Sequence, residues 1–180
     1  MYFATSANTG VTPQQLPDVQ ATIGPAATKA LSAGPTVAGQ LFTPTQDLTI
    51  AAFDYFWWSA TSAATVTGGI GVAPAGAMGV FMESVTQTYT QAAQTWLRFQ
   101  LGAPVELTAG TAYWVGVQGS AVGGSANASA AATVIGGGGV TAGAYKYGSP
   151  ASLSTSNTNA ASVKLIAATP APWQPIGKLP

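Results

Sequence analysis

Two stretches of this chain alternate between large apolar side chains and other residues, and this period of two constrains the fold more than any other feature. The stretches cover residues 95–101 and 112–118. Successive side chains of a β-strand point to opposite faces of its sheet, so each stretch predicts a strand with one face in a core. The predicted core-facing residues are Leu97, Phe99, Leu101, Tyr113, Val115 and Val117. The outward-facing residues are Trp96, Arg98, Gln100, Trp114, Gly116 and Gln118.

Turn-forming residues divide the rest of the central region into further short segments of the same kind. Strands are predicted at residues 37–43, 47–58, 69–73, 77–84, 131–135, 142–147 and 162–167. Turns are predicted at Pro74-Ala75-Gly76 and at Thr108-Ala109-Gly110-Thr111. The central region lacks the long period of about 3.6 residues that marks an amphipathic helix. Many short strands rich in Thr, Val, Gly and aromatic residues predict an all-β sandwich or barrel.

The strand predicted at residues 47–58 has a less regular pattern around Asp54. A buried carboxylate without a partner costs on the order of several kcal/mol, so we expect Asp54 to face outward. The inward set is then Ala51, Phe53, Tyr55 and Trp57, and the outward set is Asp54, Phe56 and Trp58. Leu48 and Ile50 share the parity of Asp54, which leaves open a β-bulge or a strand buried on both faces.

Proline-rich segments flank the central region on both sides. The first contains Pro13, Pro17, Pro25 and Pro35, and the last contains Pro170, Pro172, Pro175 and Pro180. Proline lacks a backbone N–H and disrupts both helices and central strands. The predicted organisation is therefore an extended N-terminal arm at residues 1–35, a β-sandwich at residues 36–168 and a Pro-rich C-terminal tail at residues 169–180.

Charge is scarce throughout the chain. Its 180 residues include five Lys and Arg, five Asp and Glu, and neither His nor Cys, so 6% of residues are charged and the net charge is zero. The basic residues are scattered singly, which argues against a nucleic-acid partner, because phosphate binding needs clustered Lys and Arg. A protein with so little surface charge tends to self-associate. We therefore expect the folded chain to lie beside copies of itself or other partners.

The same composition removes most catalytic chemistry. Without imidazole or thiolate there is no Ser-His or Cys-His nucleophile, and no zinc site of the usual kind. Asp54 and Glu83 could meet across strands as a glycosidase pair, but no motif frames them, and a structural role is favoured. We predict no catalytic residue, no cofactor and no metal ligand, and expect that the protein is not an enzyme.

The uncharged stretch at residues 66–82 is the one segment that suggests a membrane span. It is shorter than the roughly 20 apolar residues that a spanning helix needs, and it contains Pro74 and several glycines. A strand–turn–strand structure is favoured, and no membrane partner is expected. The first residues lack the basic and apolar blocks of a secretory signal, which predicts a protein made in a cytoplasm.

Three tryptophans, Trp58, Trp96 and Trp114, fall on predicted outer faces. Three interpretations remain open for them. The faces can be covered by the chain's own arms or later strands, they can form a subunit interface, or they can stack against sugar rings. These tryptophans are the candidate interface or glycan-contact residues.

A longer segment resembles a known family. In residues 96–117, WLRFQLGAPVELTAGTAYWVGV, a Trp-bearing strand leads to Pro-Val-Glu-Leu, then to a Thr-Ala-Gly-Thr turn and a strand that contains Tyr113. This order is similar to jelly-roll β-sandwich modules of phage virion proteins and bacterial surface proteins, and residues 40–53 fit the opening strands of such modules. The similarity covers roughly residues 37–118 and implies a single jelly-roll-like antiparallel sandwich with an adhesive or packing role. It brings no catalytic residues.

The resemblance and the charge deficit together give two functional hypotheses. The first is a non-enzymatic virion structural protein of a bacteriophage, made in the host cytoplasm, that decorates the head or forms a minor tail component beside other virion proteins. A homo-oligomer is expected, and the resemblance implies that trimers are common in such modules. The second is a carbohydrate-binding adhesion module that recognises a host surface glycan through Trp58, Trp96 or Trp114.

Overall fold

The structure, a computed structural model, is built almost entirely of β-strands. It describes residues 19–24, 29–30, 37–57, 64–89, 95–119, 126–128, 133–149, 152–156 and 160–168. The first seven strands are β1 (Val19–Gly24), β2 (Lys29–Ala30), β3 (Val37–Pro44), β4 (Leu48–Trp57), β5 (Ala64–Val72), β6 (Phe81–Tyr89) and β7 (Thr95–Leu107). The others are β8 (Tyr113–Gly119), β9 (Ala126–Ala128), β10 (Thr133–Gly137), β11 (Val140–Ser149), β12 (Ser152–Ser156), β13 (Ala160–Ala161) and β14 (Val163–Ala167). Within these ranges, no helix has the length and apolarity to cross a membrane.

Two antiparallel sheets form the body of the fold. The first sheet has five strands in the order β10-β1-β14-β4-β7, and the second has six in the order β12-β11-β3-β8-β5-β6. Eight of these strands pair in a nested order, from the outermost in the sequence to the innermost. β1 pairs with β14, β3 with β8, β4 with β7, and β5 with β6. This nesting is the topology of a jelly roll. The predicted jelly-roll-like antiparallel β-sandwich is confirmed.

The strands between β8 and β14 widen this roll. β10 extends the first sheet beside β1, whereas β11 and β12 extend the second sheet beside β3. The short strands β2, β9 and β13 form a separate three-stranded sheet. The alternation in the sequence predicted β10, β11 and β14. It did not reveal β2, β9 and β13, which have two or three residues each, or β12, whose sequence SLSTS contains a single large apolar residue.

β1 lies inside the segment predicted to be an arm. It pairs with β14 on one side and β10 on the other, and Ala21 and Ile23 are fully buried in the core. The prediction of an extended arm is therefore wrong for residues 19–24. Pro17 and Pro25 flank this segment, and the short strand between them was not recognised. Apart from residues 29–30 in β2, the remainder of the predicted arm lies outside the described residues, as does the tail at residues 169–180.

The core lies between the two sheets and has the residues predicted from the alternation. Leu97, Phe99, Leu101, Tyr113, Val115 and Val117 all belong to it. Phe53 and Phe99 stack at its centre with ring centroids 5.0 Å apart. Gly68 on the opposite sheet leaves room for this pair, because a Cβ atom there would lie 2.3 Å from the Phe99 ring.

The irregular pattern around Asp54 results from a bulge. The β4–β7 register passes from Ile50↔Val105 to Ala52↔Gln100, so that Ala51 stands opposite the four residues between Gln100 and Val105. The parity of β4 changes at this point, which lets Ile50 and Phe53 both enter the core. The prediction of an inward Ala51 is therefore wrong, whereas Phe53 and Tyr55 are buried as predicted. The side chain of Trp57 lies outside the described residues.

The glycines at residues 136–139 form the corner at which the chain passes from the first sheet to the second. Gly137 and Gly139 have φ angles of 72° and 78°, a region that glycine enters without steric cost. The Gly138 N–H donates to the Gln20 carbonyl over 2.9 Å, and the Gln20 side-chain amide donates to the Gly138 carbonyl over 3.0 Å. These two hydrogen bonds hold the corner in place.

Candidate functional site

Trp96 lies on the outer face of the five-stranded sheet, as predicted, and is half-buried there. The β4–β7 register pairs it with Phe56, and the two rings meet edge to face with centroids 5.2 Å apart and planes at 70°. Lys164 on β14 places its Nζ atom 4.1 Å from the centroid of the Trp96 ring. A cation is attracted to the face of an indole. One face of Trp96 is therefore occupied by a lysine of the same chain.

Asp54 and Arg98 form an ion pair on the same face, two residues further along the ladder. The Arg98 Nη2 atom donates to Asp54 Oδ2 over 3.0 Å, and Nε donates to Oδ1, which gives a two-point contact. The hydrogen bond to Asp54 raises the pKa of Arg98, and burial opposes this effect. Asp54 faces outward as predicted, yet it is buried, because the guanidinium of Arg98 covers it.

The carboxylates considered as a glycosidase pair lie on different sheets. Asp54 on β4 is engaged by Arg98, whereas Glu83 on β6 pairs with Ile70 in register. The side chain of Glu83 points toward Gly102, where an added Cβ would lie 2.9 Å from its Oε1 atom. In the part of the chain that the structure describes, no three His, Cys, Asp or Glu residues gather as a possible metal site. Asp54 and Glu83 therefore do not face each other as an acid–base pair.

Trp114 was predicted on an outer face as a candidate contact residue, with cover by the chain itself as one open interpretation, and the structure shows that the chain covers it. It does point away from the main core, but only 2% of its surface is exposed. The segment that joins β5 to β6 folds over it, and its indole N–H donates to the Gly79 carbonyl over 3.1 Å. Phe81 stacks on the ring with centroids 4.4 Å apart. Trp114 is therefore the centre of a second, smaller core and is unavailable to a sugar or a partner.

Glycines beneath this second core allow the aromatic rings to lie flat on the sheet. A Cβ atom at Gly39 would lie 2.7 Å from the Trp114 ring, one at Gly71 would lie 2.5 Å from its Nε1 atom, and one at Gly69 would lie 2.5 Å from the Phe81 ring. The sequence shows these glycines, but their relation to Trp114 depends on the register of four strands. Strand alternation alone therefore could not predict that this outer position is covered.

The rest of the outer face of the six-stranded sheet is almost without charge. It presents Thr65, Thr67, Ser84, Thr86, Thr88 and Gln118. Cross-strand hydrogen bonds join Thr65 to Thr88 over 3.1 Å and Thr67 to Thr86 over 2.8 Å. Among the described residues of this face, Lys146 on β11 is the single charged side chain, and it donates to the hydroxyl of Thr155.

Trp58, the third candidate, lies outside the described residues. Of the three predicted contact tryptophans, the structure thus places Trp96 on an outer face and covers Trp114. It does not bring the two together, since they belong to different sheets.

Gln40 is a buried polar residue that strand alternation does not reveal. Its side-chain amide donates to the Gly143 carbonyl over 2.7 Å, and its Oε1 atom accepts from the Ala161 N–H over 3.3 Å. These contacts tie β3 to β11 and to β13. A single Gln within an apolar strand was the available signal, and its role is structural, because buried polar groups need such partners.

No family model, curated protein or solved structure matches this chain in the three comparisons made with known proteins.

Proposed function

We propose that this chain is a non-enzymatic structural protein of a bacteriophage virion, which packs on the head as a decoration protein or in the tail as a minor component. The carrying observation is the outer face of the six-stranded sheet, on which Lys146 is the single charged side chain among the described residues. Solvent-facing surfaces normally carry about 25–35% charged residues. A broad, rigid and uncharged sheet face is suited to burial against other subunits.

The way the chain enters and leaves the sandwich supports subunit contacts. β1 and β14 are antiparallel neighbours, and Val19 at the start of β1 pairs with Ile166 near the end of β14. Residues 1–18 and 169–180 are therefore attached at the same end of the five-stranded sheet. Two segments attached side by side can contact the same neighbouring subunit, in a homo-oligomer or beside other virion proteins.

Deletion of residues 1–18 tests this proposal, because it removes the N-terminal extension and leaves β1 intact. We expect the shortened chain to fold, as judged by circular dichroism, and to be lost from purified particles. Mass spectrometry of the particles measures incorporation, and gold labelling in electron micrographs distinguishes head from tail. The full-length Gly138→Ala variant is the matched control and should be incorporated normally. Absence of the intact chain from particles would contradict the proposed function, and full occupancy by the shortened chain would refute the role of the N-terminal extension in subunit contacts.

A second candidate function, a carbohydrate-binding adhesion module, is favoured by the surroundings of Trp96. Its half-buried ring lies beside Phe56 and near Arg98, whose side chain is 42% exposed and can donate hydrogen bonds to hydroxyl groups. Trp96→Ala should then abolish binding on an array of host surface glycans. The control is Gln118→Ala, a change at an exposed position on the other sheet. Equal binding by both variants, or no binding by the unaltered chain, would exclude this function.

A further inference from the structure

The segment from Val72 to Met82 presents an apolar surface with no assigned role. It joins β5 to β6 through the 3-10 turn Pro74–Gly76, and we call it the apolar knob (residues 72–82). Val80 is 90% exposed, Met82 47% and Val72 38%, and these are three of the four large hydrophobic side chains found exposed among the described residues. Clustered exposed apolar side chains mark interaction surfaces, whereas single ones need no explanation.

Hydrogen bonds hold the apolar knob in place on the sheet. The Gly79 N–H donates to the Val72 carbonyl over 3.1 Å and closes the base of the knob. The Ala73 N–H donates to the Ala112 carbonyl over 2.9 Å, and the Trp114 indole binds the Gly79 carbonyl from below. The knob therefore cannot fold inward to bury Val80, because the space beneath it is already filled by Trp114 and Met78.

The backbone of the knob is also strained. Ala75 has a φ angle of 49°, a left-handed conformation that is unfavourable for a residue with a Cβ atom. Such strain persists where surrounding contacts impose it, and it concentrates at binding sites. Here the hydrogen bonds on both sides of Ala75 impose it, and the result is a turn that projects Pro74, Ala75 and Ala77 into solvent.

The partner of this surface is indicated by its lack of charge. From residue 55 to residue 82 the sequence contains no Asp, Glu, Lys or Arg. Where two identical surfaces meet about a two-fold axis, every charge near the axis faces its own copy, so a self-contact tolerates an uncharged apolar patch best. We propose that the apolar knobs of two copies of this chain pack against each other, with Val80 of each as the central contact. The place of this contact in an assembly rests on the proposed function.

The pairing of β5 with β6 beside the knob indicates that two copies meet through side chains and not by adding one strand edge to another. The β5–β6 register passes from Ile70↔Glu83 to Gly71↔Phe81, so Met82 lies in a bulge. A bulge at an edge discourages the addition of another strand. Met82, beside Val80, has a flexible side chain that adapts to an opposing apolar surface.

The size of the knob sets the expected strength of the contact. The largest apolar patch on a monomeric protein covers roughly 300–600 Å², and a stable interface buries about 800 Å² on each partner. The knob alone should therefore give weak, concentration-dependent association. In an assembly the contact would add to others, because copies already held close together have a high effective concentration.

Sedimentation velocity of the intact chain over a range of concentrations tests the self-contact. We expect a reversible shift toward dimer, and we expect Val80→Asp to raise the dissociation constant at least about 10-fold, because it places two like charges at the axis. The matched control is Ser154→Asp, an exposed change on β12 at the opposite edge of the six-stranded sheet, which should leave association unchanged. Monomeric behaviour of the intact chain at every concentration, or equal association of the two variants, would overturn the proposal.

Cysteine cross-linking provides a second measurement that does not depend on the Asp variant being well folded. The chain has no Cys, so Val80→Cys introduces a unique thiol. Under mild oxidation we expect it to form disulfide-linked dimers many times faster than the control Ser154→Cys, and equal rates would refute the contact. Cross-linking in solution by a chain that is absent from particles would support the contact and refute the virion function. If the chain is present in particles but its Val80→Cys variant fails to cross-link, the virion function would be supported and the self-contact refuted.

Discussion

The indole N–H of Trp114 on β8 donates a hydrogen bond of 3.1 Å to the carbonyl oxygen of Gly79 in the apolar knob. Trp114→Phe keeps an aromatic ring beside Phe81 but removes this donor. We expect the free energy of unfolding, measured in urea, to fall by about 1 kcal/mol. We also expect the backbone amide of Gly79 to exchange its hydrogen faster. Trp96→Phe on the other sheet is the control and should leave exchange at Gly79 unchanged. Unaltered exchange in Trp114→Phe would show that the hydrogen bond does not hold the knob.

Gly68 should tolerate no side chain. A Cβ atom at this position would lie 2.3 Å from the Phe99 ring, which is itself stacked on Phe53 and cannot move aside easily. We expect Gly68→Ala to lower the free energy of unfolding by about 1–3 kcal/mol, as overpacking of a core does. Gly138→Ala is the matched control, because its Cβ would meet no atom within 4 Å and its φ is not left-handed. Thermal unfolding that is the same for both variants would contradict this packing.

The two partners of the outer-face ion pair should differ in the cost of their removal. The side chain of Asp54 is 12% exposed, whereas that of Arg98 is 42% exposed. Arg98→Met removes both hydrogen bonds to a poorly hydrated carboxylate, but Asp54→Asn leaves an arginine that can still reach water. We expect Arg98→Met to destabilise the protein by on the order of 2 kcal/mol and Asp54→Asn by clearly less.

Urea unfolding of both single variants and of the double variant measures this difference and the coupling between the residues. Urea is the appropriate denaturant because it is uncharged and does not screen the pair. If Asp54→Asn proved the more damaging change, the burial argument would fail.

Gln40 should behave as a structural polar residue. Gln40→Leu has a similar volume but removes the donor to the Gly143 carbonyl and the acceptor of the Ala161 N–H. Leaving such buried groups without partners costs about 1–3 kcal/mol, and hydrogen exchange at Ala161 should accelerate. Gln118→Leu at an exposed position on β8 is the control and should change stability by less than about 0.5 kcal/mol. Equal stability of the two variants would contradict a structural role for Gln40.

Strand alternation identified the fold class and most of the core because each of those properties is local. Leu97, Phe99 and Val115 point into the core because side chains alternate between the two faces of a strand, whichever strand lies beside it. The bulge in β4 was one of two possibilities in the sequence, and the pairing with β7 selected it. β1 remained undetected because its alternation is short and proline flanks it on both sides.

Burial of an outer face depends on contacts between residues that are distant in the sequence, so alternation could place Trp114 outside but could not show what covers it. Only the tertiary structure brings Gly79 and Phe81 over that ring, through the register of β3, β8, β5 and β6. In the same way, Asp54 is outside by parity but buried by Arg98, which lies 44 residues away in the chain. The sequence by itself indicated most of the longer strands and the face that most of their side chains take. The tertiary structure decided which outward faces remain open to a partner, because exposure is a property of every neighbouring atom.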